Sequence, residues 1–543
     1  MDIFPSKAQF HEAGDIEFLT EGLDDAHLHA EVLCDNREVF SESCQVKNGR
    51  VVLAHGAALP PGGYLARFTT ESGATLSTAF DLGTATIRYG FLSDFSEDSE
   101  YDVAPVDWLN KLHINYVQYY DWMYRHDDLI PPTPVFEDAL GRRLSARTVQ
   151  ARMAQASAYG MSNIAYGAIY GAGNDFAERH RQWRLYDLER NAIGFLDFLS
   201  IMNVNRVSGW HDHIIAEYGK AIEFGFDGIH MDTYGFPKDA YDYDGAELDL
   251  PDDFAQLIDD SKRALTQVKA DVKLIFNNVG NWPVESVANR QQEAIYIEVW
   301  DPYSTYRSIV EIISHARSCN ADKQIILAAY LLPFNERATE EEFNALFILS
   351  GVITVMGATH LIHGENRGII TEGYYARYFH NEDEHYASVI RRYYDYITYF
   401  SHLWSDPSLT DVSHTHMLGD NREYTFDADF VSPDPEAGKL WMNVRENEEM
   451  KFINFVNLTG AQDAKWNAEK TVRDSGAFVL RVRMNRMISR FTLSTPDYDQ
   501  ILVQTLEHRV ERTEFGLYAV VEIPAVHIWS TVIAELEGPQ PLE

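Results

Sequence analysis

The chain has 543 residues, 45% of them hydrophobic and 13% aromatic, and a formal charge of −38. That length and core content suit a soluble multidomain enzyme, and the negative balance argues against nucleic-acid and anionic-membrane partners, which need a basic surface. No apolar run reaches the ~20 residues that cross a bilayer, and Met1-Asp-Ile-Phe-Pro-Ser-Lys7 carries no leader pattern; the expected compartment is the cytoplasm, or the exterior if a leader was removed.

Residues 1–84 read as short strands broken by turns. Leu59-Pro-Pro-Gly-Gly63 is a turn, and Tyr64 to Thr70 alternates apolar and polar residues, so a small β-sandwich is expected. From Ala85 to about residue 405 apolar strands alternate with helices. The strands are Ile87–Leu92, Tyr116–Tyr120, Asn163–Tyr170, Gly228–Asp232, Lys273–Asn277, Ile295–Glu298, Ile325–Tyr330 and Val352–Met356. Helices are expected over Ala146 to Tyr159, Asp253 to Val268 and Glu340 to Leu349, and the longest insertion, about 172–205, follows the third strand. Eight such units predict a (β/α)8 barrel. After Trp404 the helical rhythm stops, and strands at Met450–Asn457, Ala477–Val482, Leu517–Ile523 and Val526–Val532 predict a second β-sandwich over 406–543. The three cysteines, Cys34, Cys44 and Cys319, form neither a disulfide framework nor a zinc motif, and buried thiols are expected.

Barrel enzymes build their sites at the C-terminal ends of the strands. Those ends offer Ser93 and Asp94; Tyr120, Asp121, Trp122, Arg125 and His126; Tyr170 and Asp175; Asp232; Asn277; Glu298 and Trp300; and, beyond the eighth strand, His363, Glu365 and Arg367. Aromatic faces for sugar C–H groups and polar groups for hydroxyls fit a neutral carbohydrate. Asp232 and Glu298 each end an apolar run, where a carboxylate costs desolvation energy without a partner or a task. Together they suggest the two carboxylates that break a glycosidic bond, Asp232 as nucleophile and Glu298 as acid/base, with Ile297, Val299 and Trp300 as an apolar frame that raises the Glu298 pKa. Strand-end acids bonded to backbone or arginine are the bland alternative for each taken alone. No metal or cofactor is expected. Asp242 to Asp249 lacks the acids of a calcium loop and reads as a solvated turn, and His211 and His213 have no third ligand at metal spacing.

Several runs resemble glycoside hydrolase family 66, the dextranases and cycloisomaltooligosaccharide glucanotransferases. They are Gly90-Phe-Leu-Ser-Asp-Phe95, Gln118-Tyr-Tyr-Asp-Trp-Met-Tyr-Arg-His126, Ala165-Tyr-Gly-Ala-Ile-Tyr-Gly-Ala172, Phe226 to Gly235, Asn277-Asn-Val-Gly-Asn-Trp282, Tyr296-Ile-Glu-Val-Trp300 and Ile523-Pro-Ala-Val-His-Ile-Trp529. The resemblance implies an N-terminal immunoglobulin-like domain, a (β/α)8 barrel and a C-terminal β-sandwich. It implies retaining hydrolysis of α-1,6-glucosidic bonds in dextran and isomaltooligosaccharides, with Asp232 matching the nucleophile, Glu298 the acid/base, and Asp121 and Asp175 sugar-binding acids. Cyclising members insert a carbohydrate-binding module after barrel strand seven. Here Leu331 to Ala345 leads straight into a helix, which favours an endo-dextranase over a cyclising or transglycosylating enzyme. A barrel glycosidase for another α-linkage and a non-catalytic glucan-binding barrel are the further readings; the second is weakened because both carboxylates are present.

Overall fold

The computed structural model describes residues 1–12, 14–23 and 26–538. Three bodies follow one another as the sequence pattern predicts. The first is a sandwich of a three-stranded and a four-stranded antiparallel sheet, closed around Phe18, Val32, Phe68 and Phe80. Its second sheet lies against the last helix of the barrel. A Cβ on Gly63 would meet the carbonyl oxygens of Thr398 and Tyr399 at 2.4 Å, so only glycine permits that approach.

The central body is a ring of parallel strands, numbered here within the barrel alone: β1 Tyr89–Leu92, β2 Tyr116–Tyr119, β3 Ser162–Ala168, β4 Gly228–Asp232, β5 Lys273–Val279, β6 Ala294–Glu298 and β7 Gln324–Ala328. The eighth strand, β8, is broken into Thr359–Leu361, which pairs with β7, and His363–Gly364, where Gly364 pairs with Phe91 of β1. This closes the ring. The helices between them are α1 Ala104–Lys111, α2 Ala146–Ala158, α3 Gly209–Phe224, α4 Leu250–Leu265, α5 Val284–Val287, α6 Tyr306–Cys319, α7 Glu340–Val355 and α8 Glu384–Tyr399. The insertion after β3 holds its own three-stranded sheet of Gly171–Gly173, Leu199–Ile201 and Gly194–Phe195.

One expected strand is wrong. Val352–Met356 is the end of α7 and the residue after it, not β8. Helix α7 starts at a capping box between Thr339 and Glu342, and from Phe343 onward every residue in it is buried. The C-terminal sandwich covers its outer side, Trp529 and Val456 packing on Gly351. A helix buried all round has no polar stripe, so its apolar run imitates a buried strand.

The last body packs a seven-stranded sheet, with Met450–Asn457 and Trp529–Leu536 at its centre, on a four-stranded sheet. The strand expected over Val526–Val532 begins only at Trp529. The three cysteines are unpaired and half-buried rather than buried.

Candidate active site

Asp232 is the last residue of β4 and Glu298 the last of β6. Asn277 on β5 stands between them. Its amide nitrogen donates to Asp232 Oδ1 at 2.7 Å and to Glu298 Oε2 at 3.0 Å. Two bonds from one nitrogen keep these two oxygens no further apart than their summed lengths. Tyr166 donates to the other Asp232 oxygen at 2.8 Å, and Tyr330 to the other Glu298 oxygen at 2.8 Å. Each carboxyl therefore receives one amide and one phenol hydrogen.

Burial and then the neighbouring Glu298 push Asp232 up to about 7, against the bonds from Asn277 and Tyr166. Burial also raises Glu298, against Asn277, Tyr330 and Trp300. Like charges this close oppose one another, so ionising one acid disfavours ionising the other. Of the apolar frame expected around Glu298, only Trp300 stands at the carboxyl. Strand alternation turns Ile297 and Val299 to the opposite face, where both are buried. With Trp300 stand Tyr330 and the loop after β8, where a Cβ on Gly373 would lie 3.2 Å from Glu298 Oε1.

Of the other residues expected at the site, Tyr120 stacks on Tyr375 with ring centroids 4.6 Å apart and reaches the Gly373 carbonyl. Trp300 is 44% exposed and meets Tyr330 edge-on, an open aromatic face at the mouth. Asp121 is buried in a left-handed backbone conformation, φ 50°, and is close enough to raise Asp232. Its carboxylate lies 3.7 Å from Arg142, and burial outweighs that ion pair to push it up to about 6. His126 is buried beside Tyr166, and burial lowers it to about 4, so it is neutral at working pH.

The other residues expected at the site stand apart from the carboxyl pair. Trp122 is fully buried between Phe224 and Phe226 and donates to the Tyr166 carbonyl; it is wall, not binding surface. Tyr170 is buried and bonds the backbone of Phe236 and Tyr234, fixing the loop after β4. Arg125 folds over the Tyr124 ring and caps the carbonyls of Tyr124 and Glu137. Asp175 is exposed at the start of the short helix Asn174–Arg179 without a hydrogen bond to the pair. His363 faces outward onto Tyr394 of α8. Glu365 is fully buried and accepts from the Ser93 amide, the Ser93 hydroxyl and the Asp94 amide, stitching the end of β8 to the end of β1. Arg367 pairs with Glu384, not with Glu365. His211 is buried against Val204 and Asp260, and Asp242 holds its own turn through the Ala246 amide.

Tyr166, Tyr330, Tyr375 and Gly373 were not expected. Tyr166 had a signal, since it shares strand parity with Ala168, the residue paired to Asp232. Tyr375 and Gly373 sit in an irregular loop that carries no period. Among the described residues one group, Cys34, Asp35 and His402, brings three metal-ligand types together. There His402 Nδ1 accepts from the Gly63 amide and Nε2 lies 3.0 Å from Asp35, so both ring nitrogens are already used.

A family model described as glycosyl hydrolase family 66 matches residues 63–533. Two curated relatives, both named cycloisomaltooligosaccharide glucanotransferase from Niallia circulans, are 29% identical over 295 residues and 20% identical over 616. These alignments cover 50% and 84% of this chain, which spans only 30% and 62% of the relatives' lengths. Among solved structures, a cycloisomaltooligosaccharide glucanotransferase from Paenibacillus sp. complexed with cycloisomaltoheptaose superimposes with a TM-score of 0.88 at 19% identity, covering 98% of this chain and 99% of that one. An α-amylase from Geobacillus thermoleovorans complexed with acarbose gives 0.53 at 8% identity, covering 83% and 99%. At these identities the likeness is one of fold.

Proposed function

We propose, from the premise that the chain belongs to glycosyl hydrolase family 66, that it cleaves and re-forms α-1,6-glucosidic bonds of dextran and isomaltooligosaccharides with retention, passing the glucosyl group to a sugar hydroxyl as well as to water. The observation that carries the reading is the single Asn277 amide clamped between Asp232 and Glu298. It brings one oxygen of each carboxyl within reach of a single nitrogen, which supports the short separation of a double displacement. Asp232 attacks the anomeric carbon and Glu298 protonates the departing oxygen; Glu298 then takes the proton of the acceptor, and the Asp232–carbon bond breaks. Transfer is placed first because the curated relatives carry the transferase name.

An endo-dextranase is the second reading. Its support is the short passage from β7 through the single turn Leu332–Asn335 into α7, which leaves no room for an inserted module.

Incubation with dextran, pullulan and starch, followed by separation of linear from cyclic products, tests both. Dextran should be consumed with products longer than, or cyclised from, the first fragments; linear short products alone would select the hydrolase. Asp232→Ala and Glu298→Gln should each abolish turnover while the fold persists. Cleavage of starch but not dextran, or near-native activity in either variant, would sink the proposal.

A further inference from the structure

Three tyrosines from three elements lie in a row that ends on Glu298. Tyr296 of β6 has its hydroxyl 2.7 Å from that of Tyr375, on the loop after β8. Tyr375 lies 3.0 Å from Tyr330, just past the end of β7, and Tyr330 reaches Glu298 Oε1 at 2.8 Å. All three are buried, and the Tyr296 hydroxyl has no other hydrogen-bond partner among the described residues.

A phenol has one proton to give, and a carboxylate only accepts. With Glu298 ionised, the Tyr330 proton is committed to it. The Tyr330 oxygen must then accept from Tyr375, and Tyr375 from Tyr296. All three protons point toward the carboxylate, and each donor polarises the next in a low-dielectric setting. The reverse sense is poorer. If a protonated Glu298 donated to Tyr330 through Oε1, the row would run outward and leave the buried Tyr296 proton without an acceptor, an uncompensated cost.

We propose that Tyr296, Tyr375 and Tyr330 form a one-way hydrogen-bond chain that sets the proton affinity of Glu298, with Tyr375 a positioning residue that acts through Tyr330. The proposal rests on Glu298 being the acid/base of the reaction. Such a group must give a proton and then take one, which works best with a pKa near the operating pH. The other groups facing Glu298 are Asp232 of β4, Asn277 of β5, Trp300 beyond β6 and Tyr120 beyond β2. Of these Asp232, a like charge when ionised, favours the protonated acid, while Asn277 donates toward the anion; burial favours the acid, and the tyrosine chain opposes it.

The test is a carbon-13 NMR titration of the glutamate δ-carboxyls in substrate-free enzyme, with the Glu298 signal assigned by its loss in Glu298→Gln. Tyr330→Phe should raise its midpoint by about one pH unit and Tyr375→Phe by roughly half a unit, since each removes stabilisation of the anion. In a Tyr330→Phe background the Tyr375→Phe increment should vanish. A merely structural role would not produce that dependence. If Tyr375→Phe does not fold, Tyr296→Phe reads the far end of the chain and should shift the midpoint upward by less. An unchanged or lowered midpoint, or an equal Tyr375→Phe increment in both backgrounds, overturns the proposal. The alkaline limb of kcat/KM should move with the midpoint. A midpoint that shifts while the limb stays leaves the chain standing and removes Glu298 as proton donor.

Discussion

At the scale of single residues the site is defined by what each carboxyl is bonded to. Asp232 and Glu298 each hold a phenol and share one amide, so neither is a bland strand-end acid tied to arginine or backbone. Asp121 is different. Its only close cation is Arg142 at 3.7 Å, too long for a direct hydrogen bond, and no hydrogen bond satisfies its buried carboxylate among the described residues. A buried acid left this way has bonding capacity for sugar hydroxyls. Asp121→Asn keeps the shape and removes the charge. We expect kcat to fall by ~10- to 100-fold, because a charge-assisted bond is worth about 1.5–3 kcal/mol and gains strength as the sugar ring becomes positive. Calorimetry should find the melting temperature within a few degrees of native. A stable, fully active variant would remove Asp121 from the site; a large loss of stability with normal kcat would make it only the partner of Arg142.

At the scale of elements, the hairpin between β8 and α8, strands Gly368–Ile370 and Tyr378–His380 with the loop that joins them, makes the site whole. Glu365 anchors its start to the amides at the end of β1, and burial pushes Glu365 up to about 7. From that anchor the loop brings Gly373 against Glu298 and Trp300, and Tyr375 against Tyr120, Tyr296 and Tyr330. A Cβ at Gly373 would sit 3.2 Å from the Glu298 oxygen and 3.4 Å from the Trp300 ring, close but tolerable; further atoms would displace both. Gly373→Val should therefore cut kcat by ~100-fold through misplacement of the acid, with little change in stability because the position is half-exposed. Kinetics beside circular dichroism of the same preparation would decide it. Normal turnover would mean that the loop does not constrain Glu298.

At the scale of the whole molecule, buried charge ties the bodies together and the active site opposes them. Asp81 at the end of the N-terminal sandwich meets Arg88 before β1 in a two-pronged pair, both bonds 3.0 Å, with Gln9 and Thr84 completing it. Burial works to raise Asp81, but Arg88 and the hydrogen bonds win and hold it below the usual range. Its stabilising contribution is thus present above the unfolded pKa and is lost as pH falls through the lower folded one. Asp232 runs the other way. Raised to about 7, it binds its proton more tightly folded than unfolded, so its contribution is complete below about 4 and is lost as pH rises toward 7. The native protein should melt higher at pH 5 than at pH 8. Asp232→Asn should be the more stable form at pH 8, by on the order of 2 kcal/mol, and close to native at pH 5. Scanning calorimetry at both pH values checks this; equal stability at pH 8 would show that Asp232 carries no such strain.

The sequence by itself determined the order of bodies, the alternation that makes a barrel, and the two carboxylates that close β4 and β6. Each of these is a local pattern: an apolar run, its period, and the residue that ends it. The tertiary structure decided the rest. Strand parity and the turns after it settled that Tyr166 faces Asp232 while Trp122 and Tyr170 are buried as wall. The C-terminal sandwich decided that Val352–Met356 ends a helix, by burying the side that would otherwise have been polar. The Asn277 clamp and the tyrosine chain join residues up to 79 positions apart, and ring closure brings them together. Periodicity reports which face of one element is buried; it carries no information about which distant element covers that face, and the chemistry of this site lies in those pairings.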